Sequence, residues 1–150
     1  MSTCSLKGAW TNELGSTMVL NQSSDGSLLG CYNTAVGNAK NLYSVAGKTN
    51  LHIKDSCEAA SLGIVVSWNN DSHGDSSSIT TWSGQYQQVD GRERILATWL
   101  LTKETAPNDN WSSTRIGTNE FTKVTDENLA MELTTHCFGV DAVVDNSGEL

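Results

Sequence analysis

The sequence predicts an all-β domain of about eight antiparallel strands, arranged as a sandwich or a barrel. Three observations predict it. Short runs rich in Thr, Ser, Val, Leu and Trp are separated by turn formers at regular spacing, with only a single Pro and 17% charged residues. Within most runs the side chains alternate in character with period two, the repeat of a strand with unlike faces. The 150 residues suffice for one domain with a full core and are too few for two ordinary ones.

The first run, Ser5 to Leu14, sets Leu6, Gly8, Trp10, Asn12 and Leu14 on one face and Ser5, Lys7, Ala9, Thr11 and Glu13 on a wetter one. Gly15-Ser16 turns the chain into Thr17 to Gln22, and Ser23-Ser24-Asp25-Gly26 is a strong hairpin signal before Ser27 to Val36. Residues 37–41 form a loop. A less regular strand follows at Leu42 to Lys54, then a loop at Asp55 to Ser61 and a strand at Gly63 to Asn69. The polar run from Asn70 to Ser77 has the Gly, Asp and Ser content of a mobile loop. It leads into Ser78 to Tyr86. Asp90-Gly91 turns into Ile95 to Thr102, apolar on both faces, one of which is expected to meet another subunit. A loop at Thr105 to Asn110 precedes Trp111 and the last strand, Thr114 to Val124. Beyond it, Asn128 to Thr134 suits a short helical turn, and Asp141 to Leu150 is acidic. Residues 125–150 are expected to form a tail outside the β domain that precedes them.

The face shared by Ser78, Thr80, Trp82, Gly84 and Tyr86 is unusual, because it sets a large indole beside two hydroxyls and carries no charge. A core face should be aliphatic and a solvated face charged. Similar mixed faces recur along the chain, collecting Asn12, Ser16, Tyr32, Thr34, Trp68, Trp99 and Asn119. A buried polar group without a partner costs about 1–3 kcal/mol, so an ordinary core would not gather these side chains. Aromatic walls with neutral hydrogen-bonding tips suit a small polar ligand.

The net charge of −8 argues against a nucleic-acid partner, since an acidic surface cannot displace counterions from a polyanion. No apolar run approaches the roughly 20 residues that span a bilayer, so no membrane is expected as a partner. Cys4, Cys31, Cys57 and Cys137 lack the CxxC spacing of a zinc site, and as disulfides they allow three full pairings. Asn21, Asn70 and Asn110 begin glycosylation triplets, which chance also produces in a chain rich in Ser and Asn.

The residues also carry a resemblance. The segments at Gly8 to Ser16, Tyr32 to Ala39, Trp68-Asn69-Asn70, Thr80 to Tyr86, Trp99 to Thr102, Trp111 to Thr114 and Phe121 to Val124 stand in the order found in the avidin and streptavidin family of biotin-binding proteins. The likeness runs from about Cys4 to Val124. It implies an eight-stranded antiparallel up-and-down β-barrel that holds biotin at high affinity, without catalysis and without a cofactor.

By that resemblance Asn12, Ser16 and Tyr32 would converge on the ureido oxygen of biotin, while Thr34 and Asn119 would accept from its two N–H groups. Thr80 would sit near the thioether sulfur. Trp68, Trp82 and Trp99 would wall the ring system, Leu14, Val36 and Leu101 would complete the apolar lining, and Asn38 and Ser78 would hold the valerate carboxylate. Trp111 would leave its own barrel to close the pocket of a neighbour in a homotetramer, a dimer of dimers, with Ile116 and Leu100 at subunit contacts. The resemblance further implies a secreted protein whose export signal is absent from this chain, and sequestration of a vitamin as defence.

Three departures bear on these implications. Asn119 occupies a position where the family carries Asn or Asp, and a neutral amide gives up the charge-assisted bond of a carboxylate. Cys4 matches a bridged cysteine of the family, but the partner position here is Tyr86, which leaves Cys137 in the tail as a candidate partner. Like charge at Asp71 and Asp75 would weaken closure of the 69–77 loop over the biotin carboxylate. Two other function classes compete. An enzyme would need His52, His73 or His136 in a nucleophile motif, and none lies in one. A lectin-like site would set its Trp residues on outer faces, whereas Trp68, Trp82 and Trp99 fall on inward ones.

Overall fold

Each strand pairs with its neighbours in sequence, and the last returns to the first. The computed structural model describes residues 5–34, 42–51, 59–69 and 75–139. Its strands are β1 (Gly8–Asn12), β2 (Thr17–Gln22), β3 (Ser27–Asn33), β4 (Leu42–Thr49), β5 (Ala59–Asn69), β6 (Asp75–Val89), β7 (Arg92–Lys103) and β8 (Thr114–Lys123). They form a closed antiparallel barrel in the order β1 to β8. The choice between sandwich and barrel is thus settled by one ladder, in which Trp10, Thr11 and Asn12 pair with Lys123, Thr122 and Phe121. Val124 N–H donates to Ala9 O at 2.9 Å and extends that seam.

Local chemistry explains the turns. Asp90 and Gly91 both have positive φ, 53° and 76°, the conformation a two-residue hairpin needs to match the twist of its flanking strands. At Ser23–Gly26 the hairpin closes through Gly26 N–H to Ser23 O at 3.0 Å and Ser23 N–H to Ser27 O at 2.9 Å.

Several strand bounds differ from the sequence expectation. β1 is shorter than Ser5 to Leu14, because residues 13–16 are drawn into a turn by Gly15 N–H bonding Asn12 O. β5 begins at Ala59, inside the expected loop, where pairing with Gln87 on the long β6 extends it. β6 begins at Asp75, so residues 75–77 of the expected mobile loop are strand. The 105–110 loop contains a 3-10 helix, Pro107–Ser112, that carries Trp111.

Period two sorts the strands into an interior and an outer wall, and the interior is graded. At the end that holds the β2–β3 and β6–β7 turns, Leu6, Trp10, Leu28, Leu51, Leu62, Tyr86 and Ile95 are buried together. Polar atoms there satisfy one another. Trp10 Nε1 donates to Leu6 O at 3.0 Å, Gln22 accepts from Leu6 N–H and donates to Leu51 O, both at 2.8 Å, and Tyr86 Oη donates to Glu93 at 2.8 Å. The Lys123 ammonium lies 4.7 Å from the centroid of Trp10 and donates to Lys7 O. This end is plugged.

A helix covers part of the wall. α1 (Glu127–Phe138) is far longer than a helical turn over 128–134. Asp126 caps it by accepting from the N–H groups of Asn128 and Leu129, and Gly139, at φ 88°, ends it. Four of its five half-buried residues, Ala130, Leu133, Thr134 and Cys137, recur at the i, i+3, i+4, i+7 spacing of one helical stripe, and α1 contacts β1, β2 and β3. Ala9 and Val19, although they alternate with inward-facing neighbours, are consequently buried, so the face of β1 read as wet is partly covered. Cys137 is disulfide-bonded to Cys31 of β3. The expected bond between Cys4 and Cys137 is therefore not formed, because Cys137 is taken by Cys31. The acidic residues 141–150 lie outside the described residues, as do Cys4 and Cys57.

A crosslink between residues 106 apart restricts the unfolded chain strongly. Replacing Cys31 and Cys137 together by Ser should lower unfolding free energy by about 2–4 kcal/mol. Amides of residues 127–138 should then exchange rapidly while those of the strands remain protected, as hydrogen exchange would record. Equal loss of protection in both would mean that the helix is part of the barrel's cooperative unit.

Candidate functional site

The strands place the unusual residues at the end opposite the plug. The last residues of β1, β3, β5 and β7 and the first of β2, β4, β6 and β8 point to that end. Asn12, Ser16, Tyr32, Thr80, Trp82 and Asn119 are all buried there. Trp68 and Trp99 are half-buried and pack against the same core.

Tyr32 is the hub. Its ring stacks on Trp82 with centroids 5.2 Å apart and meets Trp68 and Phe121 edge to face at 5.6 and 6.4 Å. Its hydroxyl accepts from Asn12 Nδ2 at 3.2 Å and is hydrogen-bonded by Ser16. The Ser16–Tyr32 bond joins two hydroxyls, either of which can donate, so the pair keeps one hydroxyl hydrogen for a further acceptor. Burial pushes Tyr32 above its ordinary pKa of 10.0, against the lowering effect of Ser16 and Asn12, and the nearby Glu13 charge adds to the rise.

The two asparagines are held in opposite senses. Asn12 Oδ1 accepts from the N–H groups of Leu14 and Ser16, both at 3.0 Å, so the turn takes the carbonyl and leaves the amide nitrogen facing Tyr32. Asn119 has the reverse arrangement. Its Oδ1 accepts from Trp82 Nε1 at 2.9 Å, and its Nδ2 donates to Glu13 Oε1 at 2.8 Å. Glu13 Oε2 also accepts from Glu120 N–H at 3.0 Å. Burial raises the Glu13 carboxyl, but the hydrogen bonds from Asn119 and Glu120 outweigh it and leave the group below its ordinary value.

The aromatic walls are tied in as well. Trp68 Nε1 donates to Thr80 Oγ1 at 2.7 Å, and Tyr43 meets the Trp68 ring edge to face at 5.0 Å. Trp82 and Trp99 are cross-strand neighbours, as are Thr80 and Leu101. Trp99 packs against Gly117, where any Cβ would overlap its ring.

Asn12, Ser16, Tyr32, Trp68, Thr80, Trp82 and Asn119 thus form one connected cluster. Trp99 and Leu101 border it by register, and Ser78 follows two residues before Thr80 on the same face. Thr34 is half-buried just beyond β3. Leu14 and Trp111 are apart from it, at 66% and 84% exposure. Val36 and Asn38 lie outside the described residues. Glu13, Tyr43, Phe121 and Gly117 were missed as contributors. Glu13 reads as a surface acid, and only its place beside Asn12 in the turn could have drawn notice.

The fold and site define a class, a closed eight-stranded barrel plugged at one end and lined at the other by tryptophans and oriented neutral polar groups. Comparison with known proteins gives the class a family. The Avidin family model matches residues 1–124. Avidin-related protein 4/5 of Gallus gallus is 33% identical over 126 residues, covering 81% of this chain and 79% of the relative. Avidin of Gallus gallus is 32% identical over 130 residues, with the same shares. Fibropellin-1 of Strongylocentrotus purpuratus is 29% identical over 125 residues, which span 80% of this chain and 11% of that protein. The chain belongs to the avidin family.

The raised pKa makes Tyr32 a source of alkaline sensitivity. A phenol kept neutral by the fold contributes stability that is present below pH 10.0 and lost as pH rises through the folded pKa. The stability difference between the unsubstituted chain and Tyr32→Phe should therefore narrow above pH 10.0, as denaturant titrations at successive pH values would detect. Parallel profiles would contradict this.

Proposed function

We propose that this protein binds biotin, without catalysis, in the polar and aromatic end of the barrel. The observation that carries the reading is the opposed orientation of the two asparagines. A ureido group offers one acceptor oxygen flanked by two N–H donors. In this reading Asn12 Nδ2 and the hydroxyls of Ser16 and Tyr32, which bond one another in the ligand-free chain, turn hydrogens to the ureido oxygen, and Asn119 Oδ1 accepts from an N–H. Thr34 takes the second N–H in this reading. Three donors on one oxygen favour its anionic resonance form, the electrostatics of an oxyanion hole used for affinity.

The remaining assignments rest on the family likeness. With Trp68 donating to Thr80 Oγ1, the Thr80 hydrogen is available to the thioether sulfur. Trp68, Trp82 and Trp99 flank the ring system, Leu14, Val36 and Leu101 line it, and Asn38 and Ser78 take the valerate carboxylate. Because the rings are already stacked and the two amides are held by fixed partners, little ordering cost remains for them at binding.

The reading includes a homotetramer in which Trp111 closes a neighbour's pocket. The exposure of Trp111 on its own chain supports this. So does the outer wall, where Val65, Thr81, Leu100 and Ile116 stand side by side across β5 to β8. Ile116 is 70% exposed. Next to that row the small side chains of Ser61, Gly63, Ser83, Thr98 and Thr118 border a concavity of about 1060 Å³. The helix α1 sits on the other wall and leaves this face open. An extracellular location is supported by the disulfide, which suits an oxidising compartment. Sequestration of the vitamin is the biological role this reading implies. A lectin-like site is disfavoured, since four of the five tryptophans belong to the interior.

Isothermal titration with biotin, combined with light-scattering mass, tests the reading. Expected are one biotin per chain, binding too tight to fit directly, and the mass of four chains. Trp111→Lys should accelerate biotin dissociation at least about thirtyfold, the effect of losing a buried tryptophan anchor. No heat from the unsubstituted chain would refute biotin binding, and an unchanged dissociation rate would refute the exchange of Trp111.

A further inference from the structure

Asn119 poses a problem that a carboxylate would not. An asparagine amide is nearly symmetric in shape and opposite in hydrogen-bonding polarity at its two ends. To accept from a ligand N–H it must present Oδ1 to the interior, and a flip would present a donor to a donor. The choice is made by two partners that each allow one sense only. The Trp82 indole, which donates and cannot accept, lies 2.9 Å from Oδ1. The Glu13 carboxylate, which accepts and cannot donate when ionised, lies 2.8 Å from Nδ2.

Glu13 is itself held across the closure seam. The β1–β8 ladder ends at the pair Asn12 and Phe121. Beyond it the Glu13 carboxylate takes the place of a strand carbonyl by accepting the Glu120 N–H at 3.0 Å with its second oxygen. Its two oxygens therefore serve two donors on consecutive residues, 119 and 120.

We propose that Glu13 is a positioning residue for biotin binding, which fixes the Asn119 amide with its oxygen inward and polarises it as an acceptor. This rests on the reading of the site as a biotin pocket. A charged acceptor on one end of an amide increases the negative character of the other. The chain thereby recovers, one amide removed, part of the charge assistance that a carboxylate at 119 would have given directly. Glu13 touches no ligand and acts through Asn119 alone.

The proposal makes a prediction that a merely structural glutamate would not. A glutamine at 13 has one acceptor oxygen for the two donors of residues 119 and 120, so its amide nitrogen must oppose one of them. Glu13→Gln should therefore accelerate biotin dissociation roughly tenfold, the scale of a lost hydrogen bond to a charged group. With Asn119→Asp the sign should reverse. Two carboxylates would then face each other at hydrogen-bond distance, whereas glutamine could donate to Asp and still accept from Glu120. In the Asn119→Asp background, Glu13→Gln should slow dissociation by at least about threefold.

A ligand-free readout accompanies the kinetics. Exchange of the Trp82 indole N–H, followed by nuclear magnetic resonance, should be faster in Glu13→Gln and Glu13→Ala than in the unsubstituted chain. Acceleration in both backgrounds, or unchanged indole exchange, would overturn the proposal. Failure of the unsubstituted chain to bind biotin would refute the functional reading, and the indole exchange would still decide whether Glu13 orients Asn119.

Discussion

Pairing of β1 with β8 is the constraint on which the rest of this structure depends. It joins residues more than a hundred positions apart and converts a meander with two open edges into a barrel with none. Closure gives the alternating faces their meaning, because one face of every strand then looks into a shared interior. It also brings Glu13 beside Asn119 and Glu120, so the seam and the hydrogen-bond network of the site are built from the same residues.

The interior then divides by chemistry. At the plugged end, Trp10, Tyr86 and Gln22 satisfy their polar atoms locally, and aliphatic side chains fill the remaining space. At the other end the cost of burying Asn, Ser, Tyr and Thr is met by bonds that fix their orientations. Such groups are expensive in a core whose only task is stability. They make sense where donors and acceptors must stand ready for a ligand whose own polar atoms are fixed in a ring. The outer wall divides as well, with α1 and its disulfide on β1 to β3 and exposed apolar side chains on β5 to β8.

Much of this was legible in the sequence. The alternation from Ser78 to Tyr86 set Thr80 and Trp82 on one face, and the Asp90-Gly91 turn marked its end. Closure was legible only through the family resemblance, which correctly implied a barrel, because nothing in a strand's own residues distinguishes a barrel from a sandwich; the deciding ladder lies between chain ends. The Cys31–Cys137 bond was not legible, since four cysteines permit three pairings and the helix that delivers Cys137 has a short, mixed contact stripe of Ala130, Leu133, Thr134 and Cys137. The burial of Ala9 and Val19 follows from that helix and was hidden with it. Glu13 escaped notice for a related reason. Its role depends on a partner at the far end of the chain.

The central claim is that these oriented side chains form a receptor for a ureido group. A crystal structure of the protein grown with biotin tests it most directly. The account predicts the ureido oxygen within hydrogen-bond distance of Asn12, Ser16 and Tyr32, with an N–H on Asn119 Oδ1 and Trp111 of a neighbouring subunit over the pocket. Biotin bound elsewhere, or bound with Asn119 turned to present its nitrogen, would contradict it.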